Sequence, residues 1–425
     1  MTVGIPPAVL EPPPRADRET RIWWTLAAAA LVMRFLMMPY GGFPTDIGTM
    51  KAWATGLAER GPAEFYGSGF ADYLPGYLYV LWAIGEVNRA VRFSDQALLF
   101  ALKLPSAIAD IGTSWLIFAM GRRAGSALAL RLAASYLFNP GIIFNSAFWG
   151  QADAVGAFFA LAGVSVLDVA APPLVAVLIT TAALVKPQTA PVAIPVGLAL
   201  VRRLWKPAHA APRWDLLLAS VAAGVAVLVL AGLPFRLSLI GLARVLRTAV
   251  DVYPHGSVVA FNLWGALQGF WGKDSATWLG VPLYVYGAAA TGLALVAVAV
   301  WAWRRDTLGE VAFAAAVVLL ITFILPTRIH ERYLLPAIPF FAVAAMTERR
   351  LTWLYGGLSA LLALNLLYAY TRPYVQTFAL PTWLETTVFS DPGTRALSAL
   401  GVLALGVAFL LLLAHRGDPS AGPDR

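Results

Sequence analysis

The chain has 425 residues, 59% of them hydrophobic and 13% charged, with a formal net charge of +8 and no cysteine. A soluble domain carries about 25% charged residues, so most of this surface must face lipid or other apolar helices. The composition excludes disulfides, a thiolate metal site and a cysteine nucleophile; the positive charge is no nucleic-acid footprint, because the arginines lie in short turns between apolar runs.

Residues 1–21 are Pro-rich and charged, lack a cleavable signal, and predict a disordered cytoplasmic tail kept inside by Arg15, Arg18 and Arg21. Apolar runs near the spanning length of about 20 residues predict an all-α polytopic domain over 22–414, a bundle of about twelve spans. They lie near 22–39, 99–120, 127–146, 152–170, 173–186, 188–201, 215–233, 281–303, 309–326, 333–347, 352–370 and 395–414, and 415–425 is a second cytoplasmic tail. Repeated proline within 187–195 predicts a broken or kinked region.

The segment 73–92 is cut by Glu86, Asn88, Arg89 and Arg92. Were it to cross, Arg122-Arg123, Arg202-Arg203 and Arg304-Arg305 would all lie outside, against the positive-inside bias. It is therefore placed in the first outer loop (40–98) as a juxtamembrane or re-entrant helix. In the same loop Ile47, Met50, Trp53, Ala54 and Leu57 recur at helical spacing, predicting an amphipathic helix over 46–60 that Gly61-Pro62 ends. A second outer segment, 234–280, opens with a basic amphipathic stretch (237–250) suited to the membrane interface, then turns aromatic and polar from Tyr253 to Trp271. A third outer loop covers 371–394. No internal repeat is visible, so an inverted-repeat transporter is not indicated.

The basic pairs, with Arg349-Arg350, gather at one set of helix ends, and the chemically capable clusters at the other. Asp46 admits two readings, a general base on an acceptor hydroxyl or a cap or first-turn acid of the helix. Asp72 reads as the cap of a helix that begins near Tyr73, with Pro75 in its first turn. In the tight turn Trp149-Gly150-Gln151-Ala152-Asp153, Gln151 and Asp153 suit sugar hydroxyls and Trp149 suits a sugar face; an interfacial tryptophan with a capping acid fits equally. Lys186, before Pro187-Gln188, is a phosphate-binding point charge or a snorkelling lysine. Arg328, His330 and Arg332 stand against the positive-inside bias. An anionic lipid-linked phosphate would explain them, unless Glu331 pairs with Arg328 or Arg332 in a structural network. No metal site is predicted: the four histidines are scattered, and an Asp46–Asp153 pair would need folding that the sequence does not show. No phosphate-binding Walker loop is present.

These clusters, in this order, resemble the polytopic GT-C glycosyltransferases, and most of all bacterial membrane mannosyltransferases related to the second mannosyltransferase of GPI-anchor synthesis. The stretches that carry the likeness are Phe43-Pro44-Thr45-Asp46-Ile47-Gly48 with Trp53-Ala54, Phe65-Tyr66, Asp72-Tyr73-Leu74-Pro75-Gly76-Tyr77, Phe148 to Asp153, Lys186-Pro187-Gln188 and His330-Glu331-Arg332-Tyr333. The resemblance covers the chain to about residue 340. It implies an integral protein of the cell (inner) membrane, working on the extracytoplasmic face without a cofactor. It further implies an inverting transfer of a sugar, mannose by the likeness, from a polyprenyl-phosphate carrier to a lipid, glycan or protein acceptor. Asp46 is then the base, Lys186, Arg328, His330 and Arg332 hold the donor phosphate, and Trp149, Gln151, Asp153, Gln188, Asp72 and Tyr73 bind sugar or acceptor. Two departures stand out. Thr45 precedes Asp46 where such loops often hold two acids, and Asp72-Tyr73-Leu74-Pro75 replaces Asp-Tyr-Pro-Pro. The competing expectations are an outer-leaflet ligase or polymerase of lipid-linked glycans and a lipid flippase or transporter. The transporter reading draws on Arg34, Lys103 and Asp110, the charges farthest inside apolar runs.

Overall fold

A computed structural model describes residues 14–122, 125–169, 171–205, 211–374 and 379–415. Residues 1–13 and 416–425 of the expected tails, Arg123, and 375–378 of the third outer loop lie outside the described residues. The first helix, α1 (Pro14–Met37), reaches back into the stretch expected to be a disordered tail, because no breaker interrupts residues 15–21. In the first loop α2 (Pro44–Arg60) buries the expected stripe Ile47, Met50, Trp53, Ala54 and Leu57, and stops at Gly61. A 3-10 turn (Pro62–Gly67) leads to α3 (Pro75–Val91), which packs on α2 so tightly that a Cβ on Gly85 would stand 2.0 Å from the Ala54 carbonyl oxygen.

Next come α4 (Asp95–Gly121), capped by Ser94, and a broken pair, α5 (Ser126–Leu137) and α6 (Pro140–Trp149), bent by 42°. Asn139 caps the restart at Pro140. Then follow α7 (Asp153–Ser165), α8 (Pro172–Val185), a 3-10 turn (Pro187–Val192), α9 (Ala193–Trp205) and α10 (Trp214–Gly232). The second long segment holds the basic amphipathic α11 (Leu239–Asp251), the two-residue strand β1 (Ser257–Val258), the short α12 (Leu263–Gln268) and the antiparallel pair β2 (Thr277–Trp278) and β3 (Val281–Pro282). The rest is α13 (Leu283–Ala302), α14 (Leu308–Ile324), β4 (Ile329–His330), α15 (Ala337–Ala344), α16 (Leu351–Ala369) and α17 (Asp391–Ala414). β4 pairs in parallel with β1, so the architecture is nearly, not wholly, all-α.

The expected count of about twelve spans is not confirmed by helix length and composition. Among the described residues six helices are long and apolar enough to cross a membrane, or seven if the bent α5–α6 pair is one span. The runs at 152–170, 173–186, 188–201, 309–326 and 333–347 fold as helices of 13, 14, 13, 17 and 8 residues. At 1.5 Å per residue a 13-residue helix rises about 20 Å, short of the ~30 Å hydrocarbon layer. Nearly every residue of α14, and all of α15, is buried by neighbouring helices, which their apolarity also serves. Hydropathy registers removal from water, and lipid and a protein core remove it alike.

The basic pairs knit one end of the bundle. Arg202 lies 3.7 Å from Asp306, Arg203 2.9 Å from Asp168, and Arg305 3.1 Å from Glu310. The motif-bearing turns converge at the other end.

A candidate active site at one end of the bundle

Asp46 sits in the first turn of α2, after an extended Phe43 and with Pro44 leading the helix. Its Oδ2 accepts a hydrogen bond from the Trp149 indole N–H (2.8 Å) and another from the Gln151 side-chain amide. That clamp depends on how α6 ends. Phe144–Trp149 form a wide π-helical turn, and Gly150 takes a φ of 92°. A Cβ there would meet the Ile47 side chain at 2.7 Å, so only glycine lets the chain swing past α2. The backbone N–H groups of Gly150 and Gln151 both return to the Asn145 carbonyl at 3.0 Å. Trp149 is 1% exposed and wedged against Phe43 (5.0 Å between centroids) and Tyr370 (5.5 Å).

Behind the clamp the Gln151 side-chain carbonyl accepts from the Tyr73 hydroxyl (3.2 Å) and the Lys186 ammonium (3.3 Å). Lys186 also donates to the Tyr73 hydroxyl at 2.6 Å and stands 3.9 Å from Asp153 Oδ1. Arg332 donates from Nη1 to Glu331 at 2.7 Å, and its Nε lies 3.9 Å from Asp153 Oδ2. Asp153 Oδ1, Arg332 Nε and Glu331 Oε2 are buried without a hydrogen bond among the described residues. Such atoms require water or a ligand.

Burial alone would raise the Glu331 carboxyl, but Arg332 and His330 outweigh it and hold the group at about 2. An acid with a depressed folded pKa contributes stability above its unfolded pKa, and loses it as pH falls through the folded one. From 4.5 to about 2 the loss is on the order of 3 kcal/mol. Acid unfolding followed by tryptophan emission should thus show a step in that window that is missing from Glu331→Gln.

Several expectations change. Trp149 offers no face to a sugar, because both sides are packed and its N–H is spent on Asp46. Gln151 (1% exposed) and Asp153 (0%) likewise lie beneath the surface. Asp72 does not cap α3: the helix starts at Pro75, its N-cap is Leu74, and no side chain caps it. The half-buried Asp72 instead faces the cluster. Burial raises its carboxyl, against the opposing pull of Lys186 and Arg332. Arg328 is diverted from the cluster. Its guanidinium grips Asp274 (2.6 Å) and Asp251 (2.5 Å), and its backbone is left-handed, φ 66°. Glu331 therefore pairs with Arg332 alone of the two candidate arginines. His330 is flanked by the rings of Tyr253 (4.8 Å) and Tyr333 (5.3 Å). Gln188 is half-buried in the 3-10 turn after Lys186, and its side chain makes no hydrogen bond among the described residues. Of the residues expected to meet substrate, Asp46, Asp72, Tyr73, Lys186, His330 and Arg332 come together.

No protein-family model and no curated protein matches the chain. The site's own geometry therefore carries the functional argument. Among the described residues no group of three or more His, Asp or Glu is placed to hold a metal.

Sequence reasoning missed the supports. Tyr253, exposed by 38%, edges onto His330 at the mouth of the cluster. Tyr66 donates to the Tyr73 carbonyl at 2.7 Å. Asn365 on α16 bonds the backbone of Val259 (2.6 Å) and Phe261 (2.8 Å), holding Val259 at a φ of 62° behind β4. A β-branched residue at positive φ is strained, and only tertiary contact keeps it there. For Arg328→Ala we expect a looser 251–274 segment, because Asp274 (1% exposed) loses its cation. Limited proteolysis should cut there several-fold faster than in wild type; equal rates would mean the clamp does not hold the segment.

Proposed function

We propose that this chain is an inverting glycosyltransferase of the GT-C type, moving a sugar, mannose by its likeness, from a polyprenyl-phosphate carrier to an acceptor hydroxyl. The observation that carries this reading is Asp46: two neutral donors fix one carboxylate oxygen, and the buried Lys186 and half-buried Arg332 stand close by. A positioned carboxylate of that kind is a general base. The acceptor oxygen attacks the anomeric carbon and its proton passes to Asp46. The bond from that carbon to the phosphate oxygen breaks, and the electron pair leaves with the phosphate.

Lys186 and Arg332 meet the charge that grows on the leaving group. The nearest carboxylates, Asp153 and Glu331, balance them in the resting site. A donor phosphodiester brings one negative charge and the released monophosphate up to two, and Lys186 and Arg332 are the cations placed to meet it. An apolar cavity of about 620 Å³ between α3, α4 and α7, lined by Ile84, Val87, Phe93, Leu104, Ile108 and Phe158, suits an isoprenoid tail. The positive-inside rule supports an outer-face position for the cluster, opposite the basic pairs.

The experiment is transfer by the purified protein from radiolabelled polyprenyl-phosphate mannose into a membrane lipid extract, with release of polyprenyl phosphate followed in parallel. Labelled product and released phosphate rising together support the reading. Neither rising, with any polyprenyl-phosphate hexose and with no donor bound, would overturn it and return attention to transport.

A further inference from the structure

We propose that the buried network of Arg34, Asp110 and Ser146 is a positioning device that holds the bent α5–α6 span so that Trp149 and Gln151 seize Asp46. Its catalytic consequence rests on the reading of Asp46 as the base.

Arg34 lies in the last turn of α1, where an arginine beside a membrane normally snorkels toward the headgroups. Here it is fully buried and turned into the protein. Nε donates to Asp110 Oδ2 at 3.0 Å, Nη1 to the Ala30 carbonyl at 3.2 Å, and Nη2 to the Leu137 carbonyl at 3.0 Å. Leu137 is the last residue of α5. In an unbroken helix its carbonyl would accept from the Gly141 N–H. That N–H goes to the Asn139 side chain at 3.0 Å, so the bend leaves the carbonyl unserved and Arg34 supplies the donor.

Asp110 holds the other side of the bend. The Ser146 hydroxyl donates to its Oδ2 at 2.5 Å, from within the π-helical turn that ends at Trp149. The neighbouring residue, Asn145, receives both backbone N–H groups of the Gly150-Gln151 turn. One ion pair therefore grips both arms of the bent span, and the second arm delivers the two donors on Asp46. A buried ion pair is a poor source of net stability, and its best-attested use is to select one arrangement over others. Two of the three interior charges on which a transporter reading would draw, Arg34 and Asp110, thus have a positioning task.

The test uses the full chain in detergent with 5-fluorotryptophan placed at position 149 alone. Its 19F resonance reports the indole donation to Asp46 without any turnover, and Asp46→Asn sets the shift for a changed acceptor. In Ser146→Ala, and in Asp110→Asn where that protein folds, the resonance should move or split. Transfer should fall about tenfold in kcat, with KM little changed. Ile179→Val, a core change in α8, should leave the resonance in place even if it lowers the unfolding temperature as much. A resonance unmoved in Ser146→Ala would overturn the proposal. A moved resonance in a protein that transfers no sugar would uphold the positioning device and remove the glycosyl-transfer reading instead.

Discussion

Replacing Asp46 by asparagine is expected to lower kcat by roughly 10²–10⁴-fold, the range for loss of a positioned general base, while the protein stays folded. The amide oxygen of the substituted side chain can still accept from the Trp149 indole and the Gln151 amide, so the clamp keeps its partners. What disappears is the capacity to take a proton. KM for the donor should change little, because Lys186 and Arg332 are untouched. Initial rates alongside a thermal melt of the same preparation check this. A folded Asp46→Asn protein with near wild-type turnover would move the base to Asp72, the half-buried carboxyl facing Lys186 and Arg332.

The largest stability effect should come from Arg332→Met. Arg332 is the cation shared by Glu331 (2.7 Å) and Asp153 (3.9 Å), whose side chains are 1% and 0% exposed. Removing one partner of a buried pair leaves an uncompensated charge, at a cost of about 3–5 kcal/mol. Chemical denaturation should show that loss. Adding Glu331→Gln should recover part of it, because the worst stranded charge is then gone. Transfer should stay lost in the double variant, since the leaving phosphate still lacks its cation. A double variant no more stable than the single one would mean that Glu331 is not the group Arg332 compensates.

Much of the architecture was legible because it rests on local periodicity. The stripe from Ile47 to Leu57 predicted α2 and the side it buries, and the basic amphipathic run after Arg236 predicted α11. Charges inside 73–92 set α3 apart from the spans, and it proves a 17-residue helix packed on α2 and outside the six candidate spans. The number of spans was not legible. α14 and α15 are as apolar as a membrane helix, yet their neighbours bury them.

The candidate site divides the same way. Its residue types and their place at helix ends were visible in the motifs. Their individual tasks were not, because those depend on partners distant in the chain: Trp149 bonds across 103 residues to Asp46, and Arg34 across 76 to Asp110. Arg328 and Arg332 read alike in sequence. A left-handed backbone turns the first to Asp251 and Asp274, while the second goes to Glu331 and Asp153. By itself the sequence determined that this chain is helical and built for a membrane, and which turns hold its chemically capable side chains; composition and periodicity are local quantities and suffice for that. Only the tertiary structure decided how many helices are long enough to cross, which carboxylate two side-chain donors clamp and which cations stand near it, because burial and electrostatic pairing arise when separate helices meet.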